Sequence, residues 1–91
     1  MTEPLVLQPK LDLPAAAPLA DALKARLDGD LTVDGKDVTQ LGALCLQVLL
    51  AAAISLKSRG HRMTLTHFSD KVVKQMAQMG FSPETLAEGR S

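Results

Sequence analysis

The longest nearly unbroken apolar stretch of the chain runs from Leu41 to Leu56 and constrains the fold more than any other feature. It is 16 residues long, and only Gln47 and Ser55 interrupt it with polar side chains. A helix that crosses a bilayer needs about 20 apolar residues. The stretch therefore predicts a buried helix of a globular domain, and we expect no direct insertion into a membrane.

The end of this helix is marked by two independent signals. Lys57 and Arg59 stand in its last turn, where cations complement the helix dipole. Gly60 follows at the position where helices commonly end in a left-handed residue. We therefore predict the helix over residues 42–58.

The rest of the chain alternates between strand and helix patterns. Residues 5–13 combine β-type and alternating residues, which predicts one extended strand bent at Pro9. Leu19, Leu23 and Leu27 share one helical face, which predicts a helix over residues 15–28. The other predicted elements are a strand at 31–33, a loop at 36–40, a strand at 62–67, a helix capped by Ser69 and ended by Gly80, and a frayed helical turn after Ser82.

The order β-α-β-α-β-α is typical of a sheet covered by helices. We predict one small two-layer α/β domain over residues 1–91, with a core at about 4–81 and a C-terminal tail at 82–91. Its sheet is expected to be mixed, to have about four strands, and to carry the helices on one side. A chain of 91 residues rarely forms two domains, which excludes two-domain enzymes.

Charge and composition exclude several kinds of partner. Ten Lys and Arg balance ten Asp and Glu, and the only aromatic residues are Phe68 and Phe81, so nucleic-acid binding is not expected. Residues 1–41 hold four basic and seven acidic residues and residues 42–91 hold six and three, which gives a weak dipole and no basic patch. With one cysteine and no recognisable signal peptide, we expect a cytoplasmic protein.

The reactive side chains are few and scattered. His61 and His67 have no third ligand nearby, so neither a zinc site nor any other cofactor is expected. Cys45 lies near a helix N-terminus, where a thiol can become nucleophilic, but Leu44 and Leu46 beside it favour a buried core thiol. No glycine-rich phosphate loop is present. We therefore predict that the protein is not an enzyme, with catalysis by Cys45 as the alternative.

The long helix carries more apolar residues than one core-facing side needs. At about 100° per residue, its broad apolar side faces the sheet, and Leu44, Val48 and Ala51 fall among the polar residues of the opposite side. Either a neighbouring helix or the C-terminal tail covers them, or they form a partner-binding patch. The side predicted to face the sheet consists of Cys45, Leu46, Leu49, Leu50, Ala52, Ala53 and Leu56.

The hydrophobic pattern and spacing of residues 5 to about 81 resemble the STAS domain, the family of the anti-sigma factor antagonists. The resemblance runs through Lys10-Leu11-Asp12, Leu31-Thr32-Val33-Asp34, residues 37–50, and Gly60 with the strand that follows. It implies a small cytoplasmic α/β domain that binds partner proteins, often kinases of the histidine-kinase ATPase superfamily.

Many members of the family carry an Asp-Ser-Ser/Thr-Gly box at the start of the second helix, and the partner kinase phosphorylates its second hydroxyl. In this chain the degenerate box is Gly42-Ala43-Leu44-Cys45, with Leu44 at the phosphoacceptor position. The resemblance therefore implies a binding surface without the usual phosphorylation switch. The residues expected to bind the partner are Asp34, Asp37, Leu44, Gln47, Val48, Ala51 and Ser55.

Within the family, residues 38–50 are most similar to the short STAS proteins of alphaproteobacterial chemotaxis clusters. This similarity implies a non-enzymatic bacterial signalling module that docks onto a histidine kinase and modulates phosphotransfer. One STAS subfamily binds transporter ATPases instead, so the alternative is a small subunit of an ABC-type lipid transporter.

Overall fold

The computed structural model describes residues 3–90. The ends of the predicted 1–91 domain, residues 1, 2 and 91, lie outside the described residues. The strands are β1 (Leu5–Val6), β2 (Lys10–Leu11), β3 (Leu31–Asp34), β4 (Gln40–Leu41) and β5 (Met63–Thr66), and the α-helices are α1 (Ala16–Lys24), α2 (Ala43–Ser58), α3 (Asp70–Gln78) and α4 (Pro83–Ala87), with a 3-10 turn at Leu13–Ala15.

The main sheet consists of β1, β3 and β5 in that spatial order, and both pairings are parallel. Leu5 pairs with Val33, and Leu31 pairs with Met63. Paired residues of parallel strands point to the same face, so these side chains share the face that carries the core. Leu31, Val33 and Met63 are accordingly buried.

The opposite face of the main sheet is polar and partly open. Thr64 is exposed, Thr32 and Thr66 are half-buried, and Val6 of the edge strand is exposed. The contrast between the two faces agrees with the prediction that helices cover the sheet on one side, and α1 and α2 pack against each other within that layer.

The prediction of one mixed sheet with about four strands is wrong, because the structure has a second, two-stranded sheet. The predicted single strand is interrupted around Pro9, so that β1 and β2 are separate strands. The β2 strand pairs in parallel with β4. The carbonyl of Pro9 accepts backbone hydrogen bonds from Thr39 at 2.8 Å and Gln40 at 3.3 Å. These bonds draw part of the predicted 36–40 loop into the small sheet. Both sheets are therefore parallel, with three and two strands.

The predicted helices are present, with one changed boundary. The α2 helix confirms the prediction over residues 42–58, since Gly42 is its N-cap. Ser69 caps α3 as predicted, and its hydroxyl accepts the N–H of Val72 at 3.3 Å. The prediction for the first helix extended four residues too far, because α1 ends at Lys24 and the chain continues in turns to residue 28.

The C-terminal segment contributes to the core. Ser82 and Thr85 form a reciprocal capping box that holds the first turn of α4. Leu86 is fully buried, and α4 packs against β5 and α2. The predicted frayed turn is therefore an ordered helix, and the core extends into the segment that we expected to be a tail. Between residues 3 and 90, no helix has the length and hydropathy needed to cross a membrane.

Leu49 tests the orientation of α2, because its side chain is fully buried. An unpaired carboxylate at this position is far from water, so Leu49→Asp is expected to unfold the domain. Gln47→Asp places the same group on the exposed side of the same helix and should leave the melting temperature close to that of the parent. Circular dichroism melts measure both, and a native melting temperature for Leu49→Asp would contradict the assigned orientation.

Candidate partner-binding face

The N-terminus of α2 is anchored by the small sheet. Gly42 adopts an extended conformation as the N-cap, and its N–H donates to the carbonyl of Leu11 at 2.9 Å. A Cβ atom added to Gly42 would lie 3.2 Å from the same carbonyl oxygen, so glycine suits this close approach. The anchoring fixes the direction of the next three residues. Ala43 and Leu44 lie at the surface and Cys45 lies in the core.

The outer side of α2 carries the predicted binding residues, which we call the α2 face. Its members are Leu44, Gln47, Val48, Ala51 and Ser55. Leu44 is 45% exposed, and Gln47 and Ala51 are also exposed. Val48 and Ser55 are half-buried, and Val48 packs against the core. The structure thus brings all five residues to one side of one helix, with Leu44 and Ala51 the most accessible apolar members.

An apolar groove separates the α2 face from α1. It encloses about 160 Å³ and lies against Val48, Ala51 and Ser55. Leu23 of α1 and Leu27 of the turns after α1 form its opposite wall. The sequence left open whether a neighbouring helix covers the apolar residues on the outer side of α2. In the structure, α1 covers Val48 in part but leaves Ala51 exposed.

A second groove of about 390 Å³ lies on the other side of α2. Leu50 and Ile54 of α2 form one wall of this groove. Met79 and Phe81, which follow α3 in the chain, form the other wall. The sequence predicted Leu50 on the side of the helix that faces the sheet. In the structure it packs against the core but is only half-buried. Ile54 is 50% exposed and was missed, although a residue seven positions after Gln47 points in nearly the same direction on a helix.

A further apolar side chain near the start of α2 was also missed by the sequence analysis. Leu13 is 73% exposed in the 3-10 turn. The turn lies beside the first turn of α2, because the thiol of Cys45 donates to the carbonyl of Asp12 at 3.3 Å. The alternation of residues 10–13 predicted a strand, and nothing in that pattern indicated a turn at Leu13.

Asp34, which the sequence analysis expects to bind the partner, is a buried residue. It is 8% exposed, and its Oδ1 accepts the backbone N–H of Lys36 at 2.9 Å. This hydrogen bond holds the pKa of the Asp34 carboxyl below its ordinary value, and the nearby charge of His67 lowers it further, while burial opposes both. Asp37 is exposed, as expected. Direct contact between either residue and a partner stays a prediction.

The reactive side chains Cys45, His61 and His67 each have a different polar partner. Cys45 is fully buried, and burial followed by the charge of Asp12 raises the pKa of its thiol, which disfavours the thiolate that a nucleophile needs. The Nδ1 atom of His61 lies 3.9 Å from the Oδ1 of Asp30, and that of His67 lies 3.3 Å from the Oδ1 of Asp34. No group of three or more potential metal ligands occurs within residues 3–90.

The sequence of this domain is similar to that of a known protein family. A family model described as "Mlab, STAS domain" matches residues 2–86. The chain belongs to the STAS family. STAS domains are generally non-enzymatic modules that mediate protein–protein interactions. No curated protein matches this STAS chain significantly.

The buried thiol of this STAS domain gives a direct chemical test. In the native protein, Cys45 is expected to react with iodoacetamide only as fast as the structure opens, and in denaturant it should react at once. Ala51→Cys in a Cys45→Ala background is the matched control, because residue 51 is exposed on the same helix and should react rapidly without denaturant. Mass spectrometry follows the alkylation. Rapid native labelling of Cys45 would contradict its assignment to the core.

Asp34 gives a pH-dependent prediction. Because its folded pKa is lowered from the ordinary value of 3.8, the ionised carboxylate stabilises the fold above that value, and the contribution is lost as the pH falls through the lower folded pKa. Asp34→Asn keeps an Oδ1 acceptor for the Lys36 N–H but removes the charge. Urea denaturation should show the variant to be less stable at about pH 7, with a gap that closes below about pH 4. A gap that widens in acid would contradict this sign.

Proposed function

We propose that this STAS domain is a non-enzymatic regulatory module that docks onto a partner protein through the α2 face. The proposed partner is a signalling kinase of the histidine-kinase ATPase superfamily, the class of partner that the family resemblance implies. We place this kinase in a bacterial chemotaxis pathway. The module acts in the cytoplasm and modulates phosphotransfer by the kinase.

The observation that supports this proposal is the location of the exposed apolar side chains. Within the described part of the chain, the large hydrophobic residues that are exposed are Val6, Leu13, Leu44 and Ile54. Leu44 and Ile54 lie on α2, and Leu13 lies beside its first turn. An apolar patch flanked by polar residues is typical of a protein-binding site, because water is released from the patch when a partner covers it. The two grooves beside α2 offer recesses for apolar side chains of a partner.

The proposed module works without a phosphorylated hydroxyl at the start of α2. Leu44 occupies the position that the resemblance assigns to the phosphoacceptor, and it is exposed. The hydroxyl of Thr39 donates to the carbonyl of Pro9 at 3.2 Å, and Ser55 lies three turns further along α2. Regulation of docking by a phosphate at residue 44, as in many family members, is therefore not part of the proposal.

The alternative is a small STAS subunit of an ABC-type lipid transporter, in which the same face would bind the transporter ATPase. The α2 face suits either partner, since it offers apolar contact area and no charge that would select between them. Affinity purification of the tagged chain from its native cells, followed by mass spectrometry, separates the two. Enrichment of a histidine kinase supports the first proposal, and enrichment of a transporter ATPase supports the alternative.

Two substitutions on the α2 face separate binding from folding. Leu44→Glu and Ala51→Glu alter exposed residues, so the free energy of unfolding should change by no more than about 0.5–1 kcal/mol. A carboxylate buried against an apolar partner should weaken the complex at least about tenfold, or 1.4 kcal/mol. Calorimetric titration of the captured partner measures the binding, and urea denaturation measures the stability.

Thr64→Glu is the control for these substitutions, because Thr64 is exposed on the sheet face that lies away from the core and α2. It should bind the partner with the parent affinity. If Thr64→Glu weakens binding while both α2 variants bind normally, the partner uses the open sheet face and the proposed docking site is wrong.

A further inference from the structure

The backbone at His67 is unusual. Among residues 3–90, His67 is the one non-glycine residue with a positive φ, which is 61°. This left-handed conformation is uncommon for residues with a side chain, and such residues persist where the surrounding structure holds them. Here Phe68 packs over Gly35 so closely that a Cβ atom at Gly35 would lie 2.5 Å from its ring. This contact between Phe68 and Gly35, which we call the clamp, holds the loop after β5 against the turn after β3.

This clamp brings His67 to the carboxyl edge of the main sheet. All three strands of that sheet are parallel, so β3 and β5 end side by side, and the N–H of Gly35 donates to the carbonyl of Thr66 at 2.8 Å. His67 lines neither of the grooves beside α2.

At this edge, Asp34 and His67 form an acid–imidazole pair. The Nδ1 of His67 lies 3.3 Å from the Oδ1 of Asp34. The Asp34 side chain is 11% exposed, whereas the His67 side chain is 70% exposed. When a neutral imidazole donates its Nδ1–H to a carboxylate, its lone pair is on Nε2. The pair thus leaves a nucleophilic nitrogen on the far side of an exposed ring.

We propose that His67 is a phosphoryl-acceptor residue, with Nε2 as the accepting atom and Asp34 as the positioning residue. The donor is an activated phosphoryl compound, either a phosphoric anhydride or an N–P compound. The Nε2 lone pair forms the new N–P bond, the bond from phosphorus to the leaving group breaks, and the leaving group keeps that electron pair. The imidazole becomes cationic, keeps its proton on Nδ1, and is stabilised by the Asp34 carboxylate.

Phosphoramidate is the probe for this site, because it transfers its phosphoryl group to imidazole with loss of ammonia and needs no partner protein. The result is therefore independent of docking at the α2 face. His61 is the matched control in the same chain, since its Nδ1 is 3.9 Å from the Oδ1 of Asp30 and its side chain is 31% exposed. Mass spectrometry under alkaline conditions, with His67→Asn and His61→Asn variants, locates the label.

The label is expected on His67 at least about tenfold faster than on His61, and Asp34→Asn should slow it about tenfold, as expected for loss of a hydrogen bond to a charged group. A structural role for Asp34 is tested separately by ¹⁵N NMR, which should show the Nδ1–H tautomer at His67 in the parent and a shifted tautomer ratio in Asp34→Asn. Equal labelling of both histidines, no labelling while free imidazole reacts, an unchanged rate in Asp34→Asn, or an Nε2–H tautomer in the parent would each overturn the proposal.

Discussion

Parallel pairing of β3 with both β1 and β5 determines how the chain connects its strands and where its helices lie. Parallel neighbours cannot be joined by a tight turn, so each connection must cross over the sheet. The chain crosses from β1 to β3 through α1 and from β3 to β5 through α2, moving across the sheet in one direction. Since such crossovers are right-handed in nearly all proteins, both helices lie on the same side.

This topology explains why α2 has one side to bury and another that stays open. The fully buried Leu49 and Leu56 pack into the core beneath the helix, and α1 packs along one flank. The α4 helix packs along another part of α2 and brings Leu86 into the same core. The inner side of α2 is therefore buried and its flanks are only partly covered, so the apolar residues on its outer side are available to a partner.

Much of the fold could be predicted from the sequence because its signals are local. The long apolar stretch and Gly60 predicted the bounds of α2, and Ser69 predicted the start of α3. The small sheet could not be predicted, since β2 and β4 are each two residues long and depend on hydrogen bonds from Thr39 and Gln40 to the distant carbonyl of Pro9. The residue pattern within one short segment does not indicate which distant segment it pairs with.

The candidate site was predictable to a similar extent. Helical periodicity placed Leu44 and Ala51 on the outer side of α2, and the structure has them there. The burial of Asp34 could not be predicted, because it depends on the turn to Lys36 and on a loop 33 residues away that brings His67 against it. An aspartate at the end of a strand is compatible with either an exposed rim or a buried turn, and only the tertiary structure decides between them.

The assignment of the partner to the outer side of α2 is tested most directly by site-specific photocrosslinking in the native cells. A photoreactive amino acid replaces Gln47, which is exposed at the centre of the α2 face, or Thr64, which is exposed on the open face of the main sheet. We expect one dominant crosslinked protein from position 47 and none from position 64. Crosslinking of that protein from position 64 but not from position 47 would contradict it.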